Sequence, residues 1–282
     1  MTQLPSRPTI PSFLLILFLL LFGLHSPVLG TEKAPISLHA KAYLVKKDGA
    51  PLWAHRERES LPPASLTKIM TALLALELGR LEKVVVISPE AAAETGSRIG
   101  LRAGDRLTLN DLLQAMLIKS ANDAAHAVAE AVGGSTGNFI ALMNARAATL
   151  QMTDTHYADV SGHDFSDHYS SARDLAILAE AAMQDPRFRR IVATQELKIR
   201  TIDAKRTFHF RNSNRLIGTL PEVTGIKTGY TRGAGRCLVS MAERDGSQVL
   251  VVLLNDTQRW SDAPRLFDQA FDVGTPKRVA KR

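Results

Sequence analysis

The chain predicts an α+β fold. Three observations carry this: short strand-like apolar runs near the beginning, a long Ala- and Leu-rich middle with helical spacing, and a return to strand-like runs from Leu197 onward. Strands at both ends with helices between them point to one sheet assembled from the two ends and a separate helical lobe.

Ala42 to Val45 and Leu52 to His55 flank Lys46-Lys47-Asp48-Gly49, a β-hairpin pattern closed by an Asp-Gly turn. Pro62-Pro63 stops extended structure; Ile69, Met70, Leu73, Leu74 and Leu76 then recur at helical spacing, so a helix starts near Ala64 or Ser65. Leu109 to Leu117, Asn122 to Val132, Phe139 to Leu150 and Ala172 to Met183 read as helices, the last opened by a capping box of Ser171 and Asp174. Thr153 to Ser170 is polar and loop-like, with three of the chain's eight histidines. Leu197 to Ile202, Thr207 to Phe210, Cys237 to Ala242 and Val249 to Leu254 are strands, with a turn at Arg244-Asp245-Gly246 and a closing helix from Asp262 to Phe271.

Composition supports a folded chain with a sizeable core: 45% of the 282 residues are apolar and 22% charged. Arg7 precedes an apolar run from Phe13 to Leu24, followed by Ser26, Pro27 and the small-residue site Val28-Leu29-Gly30. This is a secretory signal layout, with cleavage expected after Gly30. As a helix the run is about 18 Å long, short of a bilayer core of about 30 Å; an uncleaved anchor using the flanking residues is the alternative. The expected organisation is a signal peptide at 1–30, one catalytic domain of two lobes at 31–272 and a basic tail at 273–282.

Cys237 is the only cysteine, which excludes an intramolecular disulfide and a Cys-based metal site. Export without disulfides suits a bacterial periplasm or cell surface. Lys and Arg number 35 against 28 Asp and Glu, with Lys277, Arg278, Lys281 and Arg282 clustered at the end. A basic exterior of this kind attracts polyanions or anionic lipid; a solvated exterior on a mostly soluble periplasmic enzyme is the simpler reading, and weak contact of the tail with an anionic inner membrane is the alternative. Nucleic acid is not an expected partner of an exported chain without a zinc-finger or Arg-rich motif.

Ser65-Leu66-Thr67-Lys68 stands at a helix start, where a three-residue separation places the serine and lysine on one face. A serine hydroxyl is a weak nucleophile unless a neighbouring base takes its proton, and a lysine does so once burial or a nearby cation lowers its pKa. The positive end of the helix favours negative charge developing beside Ser65. Alone the pattern is common on solvated helices. Ser120-Ala121-Asn122 follows 55 positions later at a helix junction, offering a hydroxyl relay and an amide, or simply a helix cap. Lys227-Thr228-Gly229 follows the extended stretch Val223 to Ile226, placing a cation and a hydroxyl on a strand edge where glycine lets a peptide approach.

This ordered triplet is the signature of β-lactamases and penicillin-binding proteins. From about Ala40 to Phe271 the chain resembles the low-molecular-mass D-alanyl-D-alanine carboxypeptidases and endopeptidases, peptidase family S11. The flanks resemble them too, in Pro63-Ala64-Ser65-Leu66-Thr67-Lys68-Ile69-Met70-Thr71, Ser120-Ala121-Asn122-Asp123-Ala124 and Gly225-Ile226-Lys227-Thr228-Gly229-Tyr230-Thr231. The resemblance implies the β-lactamase/D,D-peptidase-like fold, an antiparallel five-stranded sheet flanked by helices beside an all-helical lobe.

It also implies peptidoglycan stem peptides as substrate, β-lactams as covalent inhibitors and no cofactor. By it Ser65 attacks the carbonyl between two D-alanines or at a D,D cross-link, Lys68 is the base, and Lys227 helps keep Lys68 neutral. Ser120 passes a proton to the leaving amine, Asn122 holds lysine or substrate, and the backbone N–H groups of Ser65 and Tyr230 form the oxyanion hole. Thr228, beside Gly229, and Arg259 receive the substrate's terminal carboxylate, to which a guanidinium fork is suited; ion pairing with an Asp is the plainer role for Arg259. The sequence runs only a few residues past Phe271, without the extra β-domain or amphipathic anchor of larger members, so firm membrane attachment is not expected. Cys237, in Gly235-Arg236-Cys237-Leu238, resembles the short endopeptidase members and reads as a buried strand residue.

Other readings stay in view. A class A β-lactamase shares all three motifs but needs a Glu on a loop, commonly Glu-x-x-Leu-Asn, which is missing here. A zinc peptidase is suggested by Asp159, His163, Asp164, Asp167 and His168 on one loop, though without His-Glu-x-x-His spacing. A non-catalytic wall-binding protein is opposed by the intact motifs.

Overall fold

The computed structural model describes residues 32–274; the signal segment at 1–30 and the basic cluster Lys277, Arg278, Lys281 and Arg282 lie outside the described residues. β1 (Ala40–Lys47) and β2 (Ala50–His55) form the first hairpin, its two-residue turn made by Asp48 and Gly49, both at positive φ. A short 3-10 turn, Ala64–Thr67, runs into α1 (Lys68–Leu78). β3 (Val84–Val86), α2 (Pro89–Ala93) and β4 (Arg106–Thr108) precede α3 (Leu109–Ile118), α4 (Asn122–Gly133) and α5 (Thr136–Thr149). α6 (Ala172–Met183) and α7 (Pro186–Val192) lead to β5 (Glu196–Arg200) and β6 (Thr207–Arg211). The chain then closes with β7 (Val223–Thr231), β8 (Gly235–Arg244), β9 (Ser247–Asp256) and α8 (Arg259–Asp272).

The main sheet is antiparallel and five-stranded in the order β2-β1-β9-β8-β7, so the first and last strands of the chain pair at its centre. Alternation along the strands divides the core. Ala42, Leu44, Val239, Leu250, Val252 and Leu254 face the cluster that contains α1, α3, α4 and α6. Tyr43, Val45, Leu238, Val249, Val251 and Leu253 face α8 through Leu266, Phe267 and Ala270. A strand with both faces covered reads as a continuous apolar run, which is why β9 is so legible.

Two expectations need correction. β5 and β6 do not join the main sheet but form a separate hairpin, because alternation marks a strand without naming its partner. The third motif does lie on a strand, since β7 continues through Lys227-Thr228-Gly229 to Thr231. Ser171 does cap α6, its Oγ accepting from Asp174 N at 3.1 Å. The Asp174 carboxylate, however, turns to Asp154 N and Thr155 Oγ1, at 2.7 and 2.8 Å, instead of completing the box.

Candidate active site

Pro62-Pro63 forces the chain out of extended pairing, and the 3-10 turn that follows packs against β7, the edge strand of the main sheet. Ser65 lies in this turn and Lys68 is the first residue of α1, so the three-residue offset brings their side chains together on one face. Lys68 Nζ lies 3.0 Å from Ser65 Oγ. Its two other partners are Asn122 Oδ1 at 2.7 Å and the Ser161 carbonyl at 2.6 Å.

Those three partners define what the amine can do. An amide oxygen and a carbonyl only accept, so between them they occupy two N–H donors. A neutral amine then has one lone pair left, aimed at the one partner that can donate, the Ser65 hydroxyl. The Lys68 side chain is fully buried, and this loss of hydration brings its pKa down to about 7, against the opposing pull of Asp159, Glu94 and Asp123. The geometry and the protonation state therefore agree: near neutral pH Lys68 is placed to take the Ser65 proton.

Lys227 occupies the other side. From inside β7 its Nζ donates to Ser120 Oγ at 2.8 Å and to the Thr228 carbonyl at 2.9 Å. Burial first, then repulsion from Lys68 and from Arg259, pushes its pKa well below the usual lysine value. The cause that dominates at Lys68 is burial, so the neighbouring cation is a smaller influence than the sequence suggests. Ser120 sits at the α3–α4 junction with φ +67, a left-handed backbone rare outside glycine. The cap of α4 is Ala121, which leaves the Ser120 hydroxyl to Lys227 and not to the helix.

Asn122 also spans the cleft, its Nδ2 donating to the Thr95 carbonyl at 2.7 Å while its Oδ1 receives Lys68. Thr228 Oγ1 donates to Ser213 Oγ at 2.9 Å. Gly229 presses against the turn that carries Ser65: a β-carbon there would lie 3.0 Å from both Ala64 Cβ and the Pro63 carbonyl, and 3.2 Å from Ser65 N. Tyr230 is exposed at the end of the strand. Arg259 opens α8 and reaches across β8, its Nη1 donating to the carbonyls of Gly229 and Cys237 at 2.6 and 2.7 Å, while its guanidinium lies over Trp260. Its hydrogen-bond partners are thus backbone carbonyls beside the third motif rather than an Asp. Cys237 is fully buried, and burial raises its thiol to about 11.

The polar loop contributes more than its composition suggests. Asp159 Oδ1 accepts from Ser161 N and Oγ, each at 2.8 Å, and from Gly162 N and His163 N, at 2.5 and 3.0 Å, and so holds the turn whose Ser161 carbonyl receives Lys68. His168 Nδ1 accepts from Ala158 N at 3.0 Å, which leaves the hydrogen on Nε2 to bond Thr67 Oγ1 at 2.7 Å. Asp164 binds Thr231 Oγ1 and Gly233 N. These side chains turn to different partners, and no metal-binding group of three or more His, Cys, Asp or Glu is found among the described residues. Sequence reasoning missed Asp159 as the loop's anchor and Ser213 as the partner of Thr228. The available signal was a short polar residue within an Asn-Ser-Asn stretch for Ser213, and an Asp two residues before Ser-Gly for Asp159.

The model of peptidase family S11, described as D-alanyl-D-alanine carboxypeptidase, matches residues 30–258. D-alanyl-D-alanine carboxypeptidase DacF of Bacillus subtilis is 34% identical over 252 residues, covering 86% of this chain and 64% of that protein, so this chain spans just under two thirds of its length. A D-alanyl-D-alanine endopeptidase of Pseudomonas aeruginosa is 33% identical over 226 residues, covering 77% of this chain and 72% of that one. The Streptomyces K15 DD-transpeptidase structure matches with a TM-score of 0.80 at 29% identity, over 84% of this chain and 99% of that one. The likeness covers most of this chain in both sequence and structure, and the fold is the β-lactamase/D,D-peptidase-like one. This chain belongs to peptidase family S11, the D-alanyl-D-alanine carboxypeptidases.

Proposed function

We propose that the chain is a serine D,D-peptidase that cleaves D-Ala-D-Ala termini or D,D cross-links of peptidoglycan peptides through an acyl-enzyme on Ser65. The observation that carries this is the hydrogen-bond set of Lys68: two obligate acceptors and the Ser65 hydroxyl, around a fully buried amine. Lys68 takes the Ser65 proton as Oγ attacks the scissile carbonyl, and the bond to the leaving amine breaks as that amine receives a proton relayed through Ser120, which Lys227 holds in place. Asn122 fixes Lys68. The backbone N–H groups of Ser65 and Tyr230 receive the oxyanion, and water then hydrolyses the ester.

Thr228 and Arg259 receive the carboxylate beyond the scissile bond, Thr228 from the strand and Arg259 through the guanidinium hydrogens that the two carbonyls leave free. β-Lactams enter the same reaction and acylate Ser65. Residues 31–272 form the catalytic domain. The signal layout at 1–30 supports export to the periplasm, where peptidoglycan lies; among the described residues no helix is long and apolar enough to cross a membrane. The basic tail adds weak contact with anionic lipid on the inner membrane.

A fluorescent penicillin tests the chemistry. The purified chain should gain one penicillin on the peptide carrying Ser65, seen by mass spectrometry, and Ser65→Ala should gain none; labelling elsewhere, or none in the parent, sinks the reading. Rapid steady hydrolysis of a chromogenic β-lactam would instead favour a β-lactamase. Purified muropeptides separate the two peptidase activities: loss of terminal D-Ala from monomers marks a carboxypeptidase, and conversion of cross-linked dimers to monomers marks an endopeptidase.

A further inference from the structure

Three guanidiniums, those of Arg215, Arg236 and Arg259, gather beside the third motif, and the proposed chemistry uses only the last. Arg215 stands two residues after Ser213, the partner of Thr228. Its guanidinium lies 5.9 Å from the centre of the Trp260 ring, and that of Arg259 lies 4.7 Å from the same ring. Arg236 pairs across the β7–β8 ladder with Tyr230, one position on from the Gly229–Cys237 pair whose carbonyls hold Arg259. Thr228 pairs with Leu238, which packs on α8, so alternation puts Thr228, Tyr230 and Arg236 on that face of the sheet. Leu216, next to Arg215, and Trp260 pack into the same layer.

Arg215 and Arg236 are exposed, and neither has an ion-pair partner among the described residues. The carboxylates on neighbouring elements are engaged elsewhere, Asp164 with Thr231 Oγ1 and Gly233 N, and Asp256 with Gln258 N at 2.6 Å. Burial is the largest cause that lowers the Arg259 pKa, and repulsion from Arg236 and Arg215 adds to it. Three cations held together without a counter-ion repel one another and disfavour the compact state, so the cluster is complementary to anions that the chain itself does not supply. One carboxylate does not exhaust it. Arg259 gives Nη1 to two carbonyls, and its remaining hydrogens, with Thr228, match the single carboxylate of a free D-alanine.

We propose that Arg215 and Arg236 form a second anion subsite, for a carboxylate carried deeper in the leaving group, and that they make the chain prefer D,D cross-links over D-Ala-D-Ala termini. This rests on the reading of Ser65 as the nucleophile of a D,D-peptidase. A terminal D-alanine leaves with one carboxylate. The amine that leaves a cross-link belongs to a diamino residue of a second stem peptide, and that peptide brings the carboxylates of its own C-terminus and acidic residues. The Trp260 ring, under both Arg215 and Arg259, sets the separation between the first carboxylate site and the second.

The test compares two purified muropeptides, an uncross-linked monomer ending in D-Ala-D-Ala and a D,D-cross-linked dimer, by kcat/KM on the parent, Arg215→Gln and Arg236→Gln. The parent should favour the dimer, and each substitution should lower kcat/KM on the dimer by on the order of tenfold more than on the monomer. Because the two cations are exposed, added salt should lower the parent's preference as well. Labelling of Ser65 by a fluorescent penicillin checks that each variant is folded. A parent that favours the monomer, or a dimer-to-monomer ratio that either substitution leaves unchanged, overturns the inference. Failure of the underlying reading looks different, because the parent would then take no penicillin on Ser65 and cleave neither muropeptide.

Discussion

Gly162 lies so close to Ala64 that a β-carbon on it would overlap the Ala64 carbonyl and come within 2.9 Å of Ser65 N. The turn that presents the Ser161 carbonyl to Lys68 is therefore also the back wall of the turn that carries Ser65. Gly162→Ala meets two penalties at once, the overlap and a left-handed φ of +99. It should cost about 2 kcal/mol of stability and slow acylation at least tenfold, because either Ser65 or the Lys68 acceptor must shift. Urea unfolding and penicillin labelling rates check this. A variant that loses stability but acylates at the parent rate would show that the wall does not position the nucleophile.

The same pair shows what a sequence discloses and what it withholds. Ser65, Ser120 and Lys227 each stand in a local context that can be read: a helix start after two prolines, a helix junction and an extended run. The partner that completes the Lys68 set is the Ser161 backbone carbonyl, and a carbonyl carries no residue-type signal. Its placement depends on Asp159 accepting three amides, a turn that a polar loop composition hides. β3 and β4 span three residues each, too short for a period to show. In β7 the extended run to Ile226 and the strand placement of Lys227-Thr228-Gly229 are legible, while the end at Thr231 is not, since Thr and Gly interrupt the apolar run. Arg259 was found through the resemblance; its contacts with Gly229 and Cys237 depend on how α8 crosses β8, which no local pattern encodes.

His168 predicts an acid-sensitive fold. Burial lowers its pKa from the ordinary 6.5 to about 4, and its neutral tautomer is fixed by Ala158 N and Thr67 Oγ1. The unfolded chain takes up this proton near pH 6.5 and the folded chain only near 4, so between those values unfolding binds a proton and stability falls with pH. The full contribution, on the order of 3 kcal/mol, is present above pH 6.5 and lost as pH falls through 4. His168→Gln should flatten that part of the stability curve in urea titrations at pH 7, 6, 5 and 4. Parallel curves for the parent and the variant would contradict the assignment.

Lys227→Met separates catalysis from stability. Its ammonium is buried, and burial together with the nearby cations pushes its pKa well below the usual lysine value, so the folded protein bears a desolvation cost that an apolar side chain of similar length avoids. The melting temperature should hold or rise. Acylation should nevertheless slow by about ten- to a hundredfold, because Ser120 Oγ loses the 2.8 Å contact that orients its hydroxyl towards proton transfer. The Lys68 contacts with Ser65, Asn122 and Ser161 involve no atom of Lys227, so the dyad stays assembled. Calorimetry and penicillin labelling on the same preparation give the two readouts. A fall in both would make Lys227 a structural residue, and parent-like acylation would remove it from the proton path.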